Sequence, residues 1–574
     1  MRASLVPGVA LLGSYPAKSL PRDLVAGLVL TALLVPQGMA YAELAGLPAI
    51  TGLYTSILCL LGYAFFGPSR ILVLGPDSSL GPMIAATVLP LVAADGDPRR
   101  AVALGSALAL MTGAMALLAG IGKLGFIADL ISKPTMIGYM NGLALTILVG
   151  QLPKLFGFSV DASGLFAELI GFAAEVAGGA TVPAALAIGL GGLVVILALQ
   201  RVLPKIPAVL VVVVLSIGAA AVLGLGDRGV DLVGPLPQGF PPLTIPYITL
   251  SDVPLLLAGA LGITVVSLAD TISTATAFAA RTGQRVDGNK EMIGIGAANV
   301  AAGLFQGFPV STSGSRTAVA EQAGARTQVT GLVGAGAISL ILLLAPGLLR
   351  NLPQPTLAAV VIAASLSLAD IPGTVRLYRL RRTEFSLSIA AFVGVVWLGV
   401  LPGIAVAVAL SIGNVFRRAW WPYQTVLGRV PGIPGYHDVR SYPHAERLPG
   451  CPIYRFDAPV FFANARTFRE QILALAESQP RPAWIIVAAE PITDVDTTAA
   501  DMLRDLDLDL ELNKKGVDIV FAEMKDPVRR KIDQYELTAT IDPAHFYPTL
   551  DAAITAFRTT AGAEWGPAPA EEAS

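Results

Sequence analysis

Phe308–Val319 reads F-P-V-S-T-S-G-S-R-T-A-V, and its reading decides the fold. It lies between apolar segments long enough to cross a bilayer, yet it holds a proline, four hydroxyl residues in five positions, a glycine and an arginine. Lipid cannot satisfy the backbone of such a stretch, so it must be buried in protein or line a wet cavity. Pro309 lacks an N–H and tends to begin a helix. A helix opening just after it aims free N–H groups and the positive end of its dipole into the protein. With Arg316 one turn away, that is an anion site. The alternative is a kinked, serine-rich helix packed closely on a neighbour.

Composition places this stretch in a membrane. The 574 residues are 54% hydrophobic and 14% charged, against roughly 25% charged in average soluble usage. Thr181–Leu199 and Ile206–Gly226 carry no charge over 19 and 21 positions, enough to span as helix. A net charge of −2 argues against a nucleic-acid partner. Cys59 and Cys451 suggest neither a disulfide framework nor a metal site. The three histidines (His437, His444, His545) follow the last apolar segment, which excludes a membrane-embedded histidine relay. No convincing cleavage site follows Leu5–Gly13, so no cleaved signal is expected.

Fourteen apolar segments are expected, at 24–44, 50–66, 72–92, 102–121, 126–149, 182–199, 206–226, 252–279, 289–306, 312–323, 328–349, 355–369, 384–400 and 403–418. The third, with L-G-P-D-S-S-L-G-P-M at Leu74–Met83, is broken in the same manner as the tenth. Those are corresponding places in two halves of seven. Paired broken helices point to a transporter site at the midplane between inverted repeats.

Other apolar segments also carry polar residues. Gln37 and Tyr41 share a face of the first segment and are able to hydrogen-bond an anion or a neighbouring helix. Ser267, Asp270 and Thr274 share a face of the eighth. A carboxylate in an apolar span marks function by default: it can carry a proton, ligate sodium with hydroxyl and carbonyl oxygens, or pair with Arg316. Asp77 reads either as an N-cap or as a site residue protonated when the anion binds. Glu43 and Glu291 are expected near the water interface. Basic clusters at Lys18/Arg22, Arg376–Arg382 and Arg417/Arg418 place both chain ends on the cytoplasmic side.

After Trp421 the texture changes. Strands are expected at Pro452–Phe456, Trp484–Ala488 and Val517–Phe521. Helices are expected at Asn464–Glu477, Thr498–Asn513 and Leu550–Phe557, making a small α/β domain. The resulting division is an N-terminal segment at 1–22, a transmembrane domain at 23–421, a linker at 422–450, the α/β domain at 451–560 and a disordered tail at 561–574.

As a set, these pieces resemble the SulP sulfate permease family, over about Arg22–Arg558. The motifs are VPQGMAYAELAGLPAITGLYTS (Val35–Ser56), GPDSS (Gly75–Ser79), GYMNG (Gly138–Gly142), the Asp270 helix, NKEMIGIGAANVAAGLFQGFPVSTSGSRTAV (Asn289–Val319) and a C-terminal domain like STAS. The resemblance implies a mostly helical membrane protein with fourteen transmembrane segments in two inverted seven-helix repeats, divided into core and gate domains, plus a cytoplasmic STAS domain. It implies substrate contacts from Gln37, Tyr41, Asp77, Ser78, Ser313, Gly314, Ser315 and Arg316. Asp270 falls where relatives hold an acid tied to proton or sodium coupling, with Thr274 beside it. Asp77 departs from the small or aromatic residue of many members, which leaves the substrate open. D-V-D-T-T at Asp494–Thr498 stands where soluble STAS relatives carry a phosphorylated serine loop, making Thr497 and Thr498 candidate phosphosites. A homodimer in the plasma membrane is the family expectation.

No G-x-x-x-x-G-K-[ST] appears, so transport is expected to run on gradients and without a cofactor. The expected function is secondary transport of an anion, foremost sulfate import with a proton. The alternatives are sodium-coupled bicarbonate uptake, dicarboxylate or chloride exchange, and, from another class, a membrane sensor signalling through the STAS module.

Overall fold

The computed structural model describes residues 7–13, 15–92, 96–125, 132–160, 162, 164–203, 206–282, 286–507 and 516–561. Beyond Ala561, the end of the last helix, the expected disordered tail lies outside them, as do parts of the segment at 126–149 and of the helix at 498–513. The chain forms two compact units, residues 1–412 and 413–574.

The first unit is helical. Its elements are α1 (Pro7–Gly13), α2 (Leu20–Leu44), α3 (Ala49–Phe66), β1 (Leu74–Gly75), α4 (Gly81–Val88), α5 (Pro98–Ile121), α6 (Lys133–Phe156), α7 (Leu165–Ala177), α8 (Pro183–Val202), α9 (Ala208–Leu223), α10 (Val253–Thr282), α11 (Gly288–Leu304), β2 (Ser311–Thr312), α12 (Gly314–Gln322), α13 (Val329–Leu344), α14 (Gln354–Leu368), α15 (Ile371–Leu380), α16 (Arg382–Leu398) and α17 (Val400–Trp420), the last ending in the second unit. Among the described residues, eight helices are long and apolar enough to cross a bilayer. Each expected segment falls on a helix, and the third and tenth are indeed broken: each is a two-residue strand followed by a short helix. The sequence reading did not anticipate α7 or α15. Both are short, and α15 carries two arginines on ten residues, so neither shows the uninterrupted apolar run that marks a span.

Small residues set the packing. On α5, Ser106, Gly113 and Gly120 recur every seven residues; on α11, Asn289, Gly296 and Gly303 do the same. A Cβ at Gly113 would lie 2.8 Å from the Gly296 carbonyl oxygen, one at Gly303 2.8 Å from that of Ser106, and one at Gly120 2.7 Å from that of Asn289. The two helices therefore run antiparallel with their backbones in contact. In lipid, dispersion between close backbones replaces the hydrophobic drive that joins helices in water. Gly38 and Gly52 join α2 to α3 similarly, a Cβ at Gly52 falling 1.9 Å from the Gly38 carbonyl oxygen.

The second unit is a six-stranded sheet with helices on both faces. Its strands are β3 (Gln424–Val430), β4 (Ile433–Asp438), β5 (Ile453–Phe456), β6 (Trp484–Ala488), β7 (Asp518–Ala522) and β8 (Phe546–Tyr547), in the order β4-β3-β5-β6-β7-β8. From β5 to β8 the pairing is parallel, which requires crossover helices. These are α18 (Ala465–Ala476), α19 (Thr497–Asp507) and α20 (Asp526–Gln534); α21 (Leu550–Ala561) follows β8. Alternation along the strands divides the core. Ile485, Val487, Ile519 and Phe521 pack with α18, α19 and α20. Ile486, Ala488, Val520 and Ala522 pack with α21. The stretch 422–450, expected as a linker, instead supplies β3 and β4 to the sheet. Its Pro-Gly turns disguised a hairpin: Gly432 and Gly435 adopt positive φ, and the register shifts between Arg429 and Val430. The polar helix α20 also escaped notice, because only Val528 and Ile532 of its nine residues are buried.

Candidate functional site

The two breaks meet. β1 and β2 pair antiparallel, Leu74 opposite Thr312 and Gly75 opposite Ser311, as two repeats of opposite orientation require. The extended backbone at this depth is satisfied group by group, as lipid demands. The Ser313 N–H donates to the Val73 carbonyl at 3.1 Å, and the Val73 N–H to Thr317 Oγ1 at 3.1 Å. Asn299 of α11, fully buried, accepts the Val310 N–H at 2.9 Å and donates to the Val310 carbonyl at 3.3 Å. Ser267 of α10 donates to that same carbonyl at 3.0 Å. Thr271 Oγ1 lies 2.9 Å from Thr312 Oγ1.

The helix expected just after Pro309 starts five residues later, at Gly314, because 310–313 extends to meet β1. Ser313 is its N-cap and accepts the Arg316 N–H. Arg316 therefore sits in the first turn and, at 2% exposure, is among the largest fully buried side chains. Its Nη2 lies 3.4 Å from Asp77 Oδ2. Its Nε and Nη1 are buried with no hydrogen-bond partner among the described residues. Gly75 makes the room: a Cβ there would come 2.9 Å from Arg316 Nη1.

Asp77 does not cap a helix. α4 begins at Gly81 with Leu80 at its N-cap position. Asp77 Oδ1 instead accepts the Ser79 N–H at 2.9 Å and the Ser79 hydroxyl at 2.7 Å, an Asx turn before the helix. Arg316 is paired with Asp77, whereas Asp270 lies 3.4 Å from the Ser79 hydroxyl. Tyr41, 5% exposed, stands beside Ser78, Asp77 and Arg316. Gln37, one turn earlier and half-buried, makes no side-chain hydrogen bond among the described residues. Ser315 Oγ lies 3.1 Å from Ser313 Oγ. Gly314 faces Thr274, whose Oγ1 would be 3.7 Å from an added Cβ. Every residue expected at the site thus lies on the elements that converge at the two breaks.

Sequence reasoning missed Gly75, Ser79, Thr271, Asn299 and Thr312. Asn299 had a signal, as the one amide in the apolar run G-I-G-A-A-N-V-A-A. It also missed Tyr139 of the GYMNG motif, fully buried, whose hydroxyl has no hydrogen-bond partner among the described residues. Asn141 of that motif accepts the Asp370 N–H at 2.7 Å and donates to Thr374 at 2.9 Å, fastening α15. Glu291, expected near water, is 1% exposed and held by the Tyr63 hydroxyl at 2.6 Å and by Ser69. Glu43 is half-buried and accepts from Gln354 at 2.8 Å. Among the described residues, no group of three or more His, Cys, Asp or Glu is placed to hold a metal.

Comparison with known proteins identifies the family and the fold. The profile of the sulfate permease family matches residues 20–391, and that of the STAS domain matches residues 442–553. The chain is 40% identical over 557 residues to the "Probable sulfate transporter Rv1739c" of Mycobacterium tuberculosis, covering 97% of this chain and 98% of the relative. In fold it is similar to the murine Slc26a9 anion transporter solved in the inward-facing state, with TM-score 0.88 and 24% identity over 97% of this chain and 94% of that one. It is also similar to the transmembrane domain of a cyanobacterial bicarbonate transporter, BicA, with TM-score 0.60 and 24% identity over 68% of this chain and 98% of that one. The chain belongs to the sulfate permease family, and its C-terminal unit is a STAS domain. Family and fold make it a multi-pass membrane transporter of anions.

Proposed function

We propose that this chain imports sulfate together with a proton, and that the anion rests between the β1–α4 and β2–α12 breaks. The observation that carries this reading is the Arg316 guanidinium, buried with two N–H-bearing nitrogens unpartnered. Leaving a buried donor unmet costs about 1–3 kcal/mol, and more when it is charged. A chain that keeps such a group in a polar break gains when an oxyanion supplies the missing acceptors. Ser313 and Ser315 hydroxyls, the first N–H groups of α12, Ser78, Tyr41 and Gln37 complete the shell around it.

The Asp77–Arg316 contact supplies a reason for proton coupling. An anion that draws Arg316 toward itself leaves Asp77 facing a second negative charge. A proton on Asp77 removes that repulsion, so anion and proton bind together. Asp270, one hydroxyl away through Ser79, is the relay or the alternative carrier, and with Thr274 it is the place a sodium ion would take in the competing reading. The protein acts as a homodimer in the plasma membrane (the inner membrane of a double-membraned cell) with both termini cytoplasmic. Thr497 and Thr498, exposed in the first turn of α19, are where a phosphate would be tolerated by a helix N-terminus.

Flux into proteoliposomes tests this. Labelled sulfate is offered against bicarbonate, chloride, oxalate and succinate at two pH values, with and without sodium. Uptake driven by an inward proton gradient and indifferent to sodium is expected. Sodium-dependent uptake inhibited best by bicarbonate selects the competing transporter, and absence of flux for every anion leaves a sensor.

A further inference from the structure

The structure contains a basic cavity apart from the two breaks. It measures about 670 Å³ and lies within the helical unit, where α1 and the start of α2 meet the loop before β1, the C-terminal part of α10 and the loop between α12 and α13. Three arginines from three separate stretches line it: Arg22, Arg70 and Arg326. All three are exposed, and none makes a side-chain hydrogen bond or ion pair among the described residues. Among the described residues on the wall Glu321 is the one carboxylate, and none belongs to the proposed transport site.

The supports of these arginines are fixed. Asp23, fully buried beside Arg22, accepts the backbone N–H groups of Arg326 at 2.7 Å and Thr327 at 3.2 Å, and the hydroxyls of Thr327 at 2.8 Å and Thr330 at 3.0 Å. Gln328 donates to the carbonyls of Ser69 at 2.9 Å and Leu72 at 3.0 Å, clamping the loop that carries Arg70. The Arg22 stem packs against Gly324, 3.6 Å from the position of an added Cβ. Three like charges are thus held by fixed backbone around one cavity, a placement that favours an anion. A volume of this size suits an organic ligand rather than a bare oxyanion, and planar guanidinium forks match phosphate oxygens bidentately.

We propose that this cavity binds a ligand bearing two or more phosphates, either a soluble polyphosphate or the headgroup of an anionic phospholipid. Occupancy ties together the two loops that lead into β1 and out of α12, so it stiffens both arms of the transport site. The binding claim itself does not depend on what that site carries.

Full-length protein in detergent is titrated calorimetrically with inorganic tripolyphosphate, and retention of cardiolipin is followed by native mass spectrometry. Wild type should bind one of the two probes. Arg70→Gln with Arg326→Gln should weaken binding roughly a hundredfold, about tenfold for each lost charge-assisted fork, while the unliganded thermal midpoint stays put. Tripolyphosphate binding identifies a soluble effector; cardiolipin retention without it identifies a lipid. Arg316→Ala should leave either interaction unchanged. Wild-type affinity in the double variant, loss of binding in Arg316→Ala instead, or binding of neither probe by wild type would overturn the proposal.

Discussion

Replacement of Arg316 separates a structural from a functional role. Among the described residues its guanidinium has one ionic contact, to Asp77 at 3.4 Å, and two nitrogens without a hydrogen-bond partner. A charge-assisted hydrogen bond contributes about 1.5–3 kcal/mol, so two of them to a bound anion amount to roughly 3–6 kcal/mol, a factor of about 10² to 10⁴ in affinity. Arg316→Ala should therefore abolish uptake at working sulfate concentrations. Arg316→Lys, which keeps the charge but not the fork, should lose about one bond's worth. The single truncation also strands Asp77 and should lower stability by about 3–5 kcal/mol, as breaking a buried pair does. Arg316→Met combined with Asp77→Leu should recover that stability without recovering transport, because a buried pair is replaceable by apolar groups of similar volume. The assays are sulfate binding by calorimetry, uptake in proteoliposomes and thermal unfolding of the same preparations. Uptake by Arg316→Ala within a few-fold of wild type, in protein that inserts normally, would refute the assignment. Recovery of transport in the double variant would refute it as well.

Three further predictions concern other parts of the chain. Asp270→Asn should retain sulfate binding and lose the dependence of uptake on the pH gradient; an unchanged pH profile removes Asp270 from coupling. Gly75→Ala should keep the fold but weaken sulfate binding at least about tenfold, because the new methyl, 2.9 Å from Arg316 Nη1, turns the guanidinium out of its slot; unaltered affinity would show the slot is not needed. In the STAS domain, burial and then the neighbouring Asp518 push the Asp507 carboxyl up to about 6. The unfolded value is roughly 4, so the folded domain binds the extra proton and gains stability as pH falls from 7 toward 4. Asp507→Asn should raise amide-exchange protection of β5–β7 at pH 7 and flatten its change between pH 7 and 4; equal protection in both proteins at pH 7 would contradict this.

The sequence revealed whatever depended on long regular patterns. Apolar runs located the helices, Gly-Pro and hydroxyl residues located both breaks, and Trp484–Ala488 was read at its observed bounds. Contacts between distant stretches were less accessible. Asp270 was a natural partner for Arg316, because a lone acid in an apolar span needs a cation. The β1–β2 pairing instead brings Asp77 to Arg316 and leaves Asp270 to Ser79. Glu291 looked like an interfacial acid, since its shelter, Tyr63 and Ser69, lies over two hundred residues away in the chain. The start of α12 was misplaced for a related reason. Pro309 permits a helix, but the backbone of 310–313 is claimed by Val73, Asn299 and Ser267 before a helix can use it.

The short ladder between Leu74–Gly75 and Ser311–Thr312 limits how a cargo can leave. Jaws that gripped an ion by closing from two sides would have to part to release it. Parting would expose carbonyl and amide groups to hydrocarbon with nothing to replace their partners. Stitched together, the two arms travel as one piece, so under the proposed function an ion resting between them departs only when the surroundings slide past and open a way out.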